Sequence, residues 1–579
     1  MPLGAPKDIS DCALYFLDPK SPKQRQYEAL RAYFVEEQPS AEVARAFGYT
    51  PGSFQVMCHH FRRDPSPNFF VSTRPGPRDQ PKKSAAREIA VSMRKTNHSV
   101  YEISEALKSQ KIPLSPTAVR ELLRADGFAA LPRRLDEERP GRPRPTVQPT
   151  ADARAFSLTP RQFDTQCGGL FLFIPELARL QLDEIARTAR LPGSKMVPAG
   201  HALRSCLALK LWSLERKSHV MSLVADEGLA FFAGLNAIPK KSFLSEYSSR
   251  IGRSHTTRIL EGFQRCVTPD GLYDGESFNL DFHSVPFHGE DEMVEKHYVS
   301  MRSRSQKSVL AFLAQDAAGR AFCYSNADIR KGEESEEIFR FISFWTKAHG
   351  SPPKHLVFDS RLTTYPKLAR LDRDHKITFI TLRRKSPALM REIALLPASA
   401  WRTVELDVPT RKYRFPRVFE QTTKVAGREY RQLFILDLGH EKPTILLTND
   451  RDAATPALIT RYAQRMLIEN ALSDAVRFFH IDALSSAVGL KVDFDMSLLV
   501  IASGLYRLLA RKMRGYSDVQ ARKVFRNLLN MPATVDVRAD EVVVQLHKRT
   551  HLPLLVDAGV LDAPVAVPWW NGMPLRITS

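Results

Sequence analysis

FNLDFHSVPF, residues 278–287, alternates apolar and polar side chains with a period of two: Phe278, Leu280 and Phe282 share one face, and Asn279, Asp281 and His283 the other. This is the pattern of a strand with a buried face. It sets a carboxylate, Asp281, inside a buried-looking element, where an unpartnered charge is costly. Working outward, SVLAFLAQD (308–316) and AFCYSNAD (321–328) are further short β-rich runs separated by turns. EESEEIFRFISFWTKAHG (333–350) reads as a helix, and HLVFDS (355–360) and ITFITLRR (377–384) return to strand. Three strands, a helix and two more strands predict a mixed α/β sheet. WRTVELDV (401–408), KYRFPRVFEQ (412–421), REYRQLFILDL (428–438) and PTILLTND (443–450) then form a β-only block, and Thr455-Pro456 opens a long helix reaching about Phe479.

The flanking sequence is basic and helical. The 579 residues carry 84 Lys and Arg against 64 Asp and Glu, a net charge of +20. The first 150 residues hold +7 of it and the remainder +13, so a polyanionic partner would touch several domains. A membrane is the weaker candidate: the longest apolar runs, such as Ser497 to Tyr506, fall far short of the ~18–20 residues needed to span one. The N-terminal residues carry no signal-peptide pattern. The six cysteines lack paired spacing and read as reduced cytosolic thiols, without zinc or a disulfide framework. Two Pro-rich, basic stretches at 64–83 and 131–150 read as extended linkers. They set off two small helical modules. In the first, Ser40 and Thr50-Pro51 are expected helix starts and Gly48 a stop. In the second, Ser99 and Ser115-Pro116 start helices and Gly127 ends one. Both fit a helix-turn-helix layout, and both also fit plain helical bundles. Residues 155–270 are dominated by helical periodicity and show no site chemistry.

Three acids interrupt apolar elements. Asp281 lies within the first strand, Asp359 ends the strand HLVFDS, and Glu469 falls on the long helix in one stripe with Leu458, Tyr462, Arg465, Leu472 and Val476. Taken singly, an aspartate at a strand end is also a turn former, and Arg465 with Glu469 is also an i,i+4 ion pair. Taken together, converging carboxylates suit a pair of hard divalent cations performing phosphodiester chemistry. His283, His288 and His297 read as supporting or surface residues.

The run Tyr462-x-x-Arg465-x-x-x-Glu469, preceded by Asp281 in LDFHSVPF and Asp359 in VFDSRLTTYPKLARL, resembles the signature of DDE transposases of bacterial insertion sequences. The likeness covers about 278–510, and the β-only block matches an insertion that this branch carries before its glutamate. One departure is Val476, where the family often places lysine; the phosphate contact expected there is in doubt or shifts to Arg477.

The resemblance implies a multidomain α+β protein. Its expected parts are helix-turn-helix modules at 1–64 and 84–130, a helical domain at 155–272 and a C-terminal region at 516–579. Between them lies a ribonuclease-H-like core at 276–395 and 452–515, with the β insertion at 396–451. It further implies that Asp281, Asp359 and Glu469 ligate two Mg²⁺ (or Mn²⁺) ions and that Tyr462 and Arg465 hold DNA. Arg383, Arg384 and Lys385 are phosphate contacts or a solvated cluster. The expected partners are the double-stranded DNA of terminal inverted repeats and target, with a homodimer in the synaptic complex and a cytoplasmic, nucleoid-associated location. A transposase-derived DNA-binding regulator that no longer cuts is the alternative, and a Mg²⁺ nuclease without strand transfer would use the same residues.

Overall fold

The computed structural model describes residues 16, 18–19, 21–65, 69, 81–131, 151–287, 296–299, 304–329, 332–407, 413–439, 441–483, 489–561 and 563–579. The two Pro-rich stretches lie almost wholly outside the described residues, as does His288. The chain divides into two compact units, Met1–Gln80 and Pro81–Ser579.

In the first unit, α1 (Pro22–Phe34), α2 (Ser40–Ala46) and α3 (Pro51–Arg63) close over Ala29, Leu30, Val43, Phe54 and Cys58. Thr50 caps α3, its Oγ1 accepting from the Ser53 amide at 3.2 Å. Ser40 does not cap α2. The carbonyl of Pro39, one residue earlier, accepts the first helical bond, so Ser40 is already helical.

The second unit opens with another three-helix module: α4 (Pro81–Lys95), α5 (Val100–Ser109) and α6 (Pro116–Ala125). Ser99 and Glu102 form a reciprocal capping box at 2.6 and 3.3 Å. This module docks on the remainder of its unit: Arg87 bonds Asp126 at 3.0 Å and also holds Asp328, while Lys95 Nζ donates to the Ile251 carbonyl at 3.0 Å.

The region after it is largely helical, as expected, but begins with a strand, β1 (Arg161–Thr165). Its principal helices are α7 (Ala199–Leu211), α8 (Lys241–Ser249) and α9 (Arg253–Val267). The main sheet comes next: β2 (Ser277–Pro286), β3 (Lys296–Val299), β4 (Arg304–Asp316) and β5 (Ala321–Asn326). Then come helix α10 (Glu337–His349), β6 (His355–Phe358), α11 (Tyr365–Asp374) and β7 (Thr378–Leu382). Counting from β2, five of these strands lie in the spatial order 5-4-2-6-7; β2 is antiparallel to β4 and parallel to β6, and β6 is parallel to β7. The β-only block gives β8 (Arg402–Thr403), β9 (Arg417–Val425), β10 (Arg428–Leu436) and β11 (Thr444–Thr448). These strands do not form a sheet of their own: β11 pairs antiparallel with β7 and extends the main sheet.

The expected long helix is two, α12 (Thr455–Gln464) and α13 (Met466–Arg477), interrupted at Arg465. There the Arg465 amide bonds to the Tyr462 carbonyl and the Ile468 amide to the Arg465 carbonyl, i,i+3 bonds that tighten the turn. After it, α14 (Gly489–Lys512) runs against α9 and β5 with its middle fully buried. Gly504 permits close approach to α9, since a Cβ there would lie 2.8 Å from the Phe263 ring. The C-terminal residues form β12 (Ala533–Val537), β13 (Val542–Leu546), β14 (Val565–Ala566) and β15 (Pro574–Thr578). With β1 they make a second sheet of order β1-β12-β13-β15-β14, so the helical region and the C-terminus share a core. Among the described residues no helix is long and apolar enough to cross a membrane.

Candidate active site

The parallel pairing of β2 with β6 ends at Leu280 opposite Phe358, so Asp281 and Asp359 fall on the next rung of two adjacent strands. Phe278 and Leu280 are buried, but so is Asn279 of the other face, and Phe282 lines a cavity of about 800 Å³ together with Asp281 and His283, so the alternation holds only in part. Asp359 leaves the strand and turns, its Oδ1 accepting from Ser360 Oγ at 3.0 Å. Glu469, in the first turn of α13, lines the same cavity. An acid there is favoured by the helix dipole.

Arg465 sits between these acids. Its Nη1 donates to Asp281 Oδ2 at 3.1 Å and its Nη2 to Glu469 Oε1 at 3.3 Å. The i,i+4 pair therefore exists, yet its arginine side chain is only 12% exposed and is shared with a strand carboxylate. Arg465 Nε is buried without an acceptor among the described residues. Burial holds the Asp281 carboxyl above its ordinary range; Arg465 opposes this and Asp359 adds to it. Burial likewise pushes the Tyr462 phenol up to about 12, and its ring lies 5.8 Å from the Arg465 guanidinium carbon.

Around the acids stand Arg361, Arg384 and Arg477. Arg384 and Arg477 thus face the cavity. Arg383 instead bonds Thr423 at 3.1 Å and Gln432 in the added strands, and neither it, Lys385 nor Tyr462 lines the cavity. Sequence reading missed Asp482, which bonds His283 Nε2 at 2.6 Å. It comes from a short turn after α13, and nothing in its local sequence marks it. It also missed Arg461, which donates to Ser277 Oγ and Asn279 Oδ1 at 2.7 and 2.8 Å and so fixes α12 against β2.

By donor chemistry the three carboxylates suit a hard divalent cation. In the present arrangement Arg465 provides the counter-charge, and among the described residues no three His, Cys, Asp or Glu side chains stand close enough to hold an ion. Acids and arginines line the cavity together, an arrangement suited to a phosphodiester held by the arginines beside the carboxylates. Compared with known proteins, the chain matches no family model and no curated protein.

Proposed function

We propose that this chain is a DNA transposase that binds the terminal inverted repeats of its element and cleaves and joins DNA through a ribonuclease-H-like, Mg²⁺-dependent site. The observation that carries the reading is that Asp281, Asp359 and Glu469 line one cavity together with Arg361, Arg384, Arg465 and Arg477. The strand order 5-4-2-6-7 supports it, because that order sets the first two acids on the same rung of adjacent strands.

Asp281, Asp359 and Glu469 would hold the ions, which when bound activate the attacking hydroxyl and stabilise the leaving oxygen. Arg465 moves from carboxylate to phosphate, where its unpartnered Nε finds an acceptor and its fork can bind two oxygens. Arg384 and Arg477 orient the flanking phosphates. His283, held by Asp482, fixes the wall beside Asp281. The three-helix modules would supply sequence recognition through their third helices, α3 and α6.

The test uses the full chain and linear DNA ending in the repeats that flank its gene. Cleaved and joined products should form with Mg²⁺, and Asp281→Asn should yield none while still shifting the same DNA in a gel. Cleavage surviving in both Asp281→Asn and Glu469→Gln would refute the assignment. Specific binding by the wild-type chain without any cleavage would point instead to a DNA-binding regulator.

A further inference from the structure

A second cavity, of about 610 Å³, lies on the other side of the short turn that succeeds α13. Asp482 of that turn lines the catalytic cavity, and its neighbour Ala483 lines this one. The second cavity is a basic groove: Lys210, Arg216, Lys217, Lys241 and Lys491 face it against two carboxylates, Glu215 and Asp495, with four serines between them. Two of the cations are committed. Lys210, wholly buried on α7, donates to the Phe479 carbonyl at 2.8 Å, and Lys217 pairs with Asp495 at 2.9 Å. Arg216 stands 3.7 Å from Glu215. Lys241, at the start of α8, and Lys491, on α14, have no acidic partner among the described residues.

Ammonium groups gathered this way repel one another unless an anion joins them. Burial, with Lys217 adding, pushes the Lys491 ammonium down, and burial brings Lys210 to about 8. Lys491, half-buried yet unpaired, is the kind of charge that a structure retains when a ligand completes it. Ser248 is committed, donating to the Leu244 carbonyl at 3.2 Å and accepting from Lys217, while the hydroxyls of Ser218, Ser242 and Ser245 are neutral donors suited to phosphate oxygens. The groove and the catalytic cavity are lined by adjacent residues of one turn, Ala483 and Asp482.

We propose that this groove binds the phosphodiester backbone of the DNA duplex whose reacting strand lies in the catalytic cavity. The identity of the polymer rests on the DNA-processing reading above; the anion chemistry does not.

The test measures anisotropy of a labelled duplex of unrelated sequence against the full chain, from low to physiological salt. Each lost phosphate contact lowers the slope of log affinity against log salt by about 0.9, so Lys241→Gln/Lys491→Gln should lower it by about 1.8. The exposed single variant Lys241→Gln should lower it by about 0.9. Lys241→Arg/Lys491→Arg should keep the wild-type slope. An unchanged slope in the glutamine double variant overturns the proposal, and does so even if wild-type cleavage is intact, leaving the catalytic reading standing. Conversely, the slope change should persist in an Asp281→Asn background, where no cleavage occurs. Inorganic phosphate at constant ionic strength separates the sources: its capture by the wild-type groove, with duplex affinity indifferent to both lysines, would assign the groove to a small phosphate compound and refute the DNA assignment.

Discussion

Two aspartates in the same unit, Asp493 fully buried and Asp281 partly so, are treated in opposite ways. Asp493, on α14, accepts from Arg253 Nη1 at 2.7 and 2.9 Å, from Thr256 Oγ1 at 2.6 Å and from the Ala327 amide at 2.9 Å. It joins α9, α14 and the end of β5, and its arginine also bonds Tyr324 and the Ser325 carbonyl. Among the described residues, Asp281 has only the adjacent Phe282 amide at 2.9 Å and one arm of Arg465, whose own Nε finds no acceptor there. The first acid is satisfied on every side and closes the core. The second is under-satisfied and opens on a cavity. A buried charge with a full set of partners belongs to the fold, whereas one left short beside open space is poised for a ligand.

The comparison breaks most decisively on activity. Asp281→Asn, nearly isosteric, should lower strand cleavage at least ~10³-fold, about 4 kcal/mol of barrier, as measured by single-turnover assays. Urea unfolding of the same variant should show no loss of stability. Equal losses of activity and stability would make Asp281 a structural acid like Asp493.

The reverse experiment is Asp493→Ala, which strands Arg253 inside the core. Breaking a buried pair by removing one partner costs about 3–5 kcal/mol, a large share of a typical domain's stability. The urea midpoint should fall accordingly, and a midpoint near wild type would show that the network contributes little to the fold.

Smaller, and specific to the open site, is the response to divalent cation. Mg²⁺ at a hundredfold its dissociation constant should stabilise the wild-type chain by about 2.7 kcal/mol. The shift should vanish in Glu469→Gln but survive in Asp493→Asn. Equal shifts in all three proteins would locate the ion elsewhere.

The same contrast explains what the sequence discloses. Asp281 and Asp359 are legible because the first interrupts a period-two strand and the second ends a continuous apolar run, Leu356 to Phe358, that a strand must bury. Glu469 is legible from its stripe, but the break at Arg465 is not, because apolar periodicity continues through it into α13. Asp482 and Asp493 carry no local signal at all: one sits in a turn and the other inside a helix buried all round, and only tertiary contacts give them partners. The second sheet is hidden for the same reason, since Arg161 pairs with Val537 across nearly the whole unit. Helix starts marked by Thr50, Ser99 and Ser115 are local chemistry and stand where expected, while Pro39 displaces Ser40 by a single residue. The basic groove joins Lys210, Lys217 and Lys241 from one stretch of the chain to Lys491 some 250 residues later, so composition discloses its charge and not its place.

The smallest expected effect is a pH dependence of stability. The Asp281 carboxyl titrates above its ordinary value in the folded chain, with burial the leading cause. At low pH the group is protonated in both the folded and unfolded states and contributes no difference. As pH rises past the ordinary carboxylate range, the unfolded chain releases its proton first, and the folded chain must do so at higher pH. Between those two points stability is lost, and above them the loss stays constant. Asp281→Asn removes the titration, so the variant should match wild type near pH 3 and exceed it near neutrality, with the difference developing across the window between the two values. Thermal unfolding at a series of pH values without divalent cation reads this directly. Should Asp281→Asn instead lose stability as pH rises, Arg465 would be compensating the carboxylate in full. Asp281 would then belong, with Asp493, to the acids that hold the fold together.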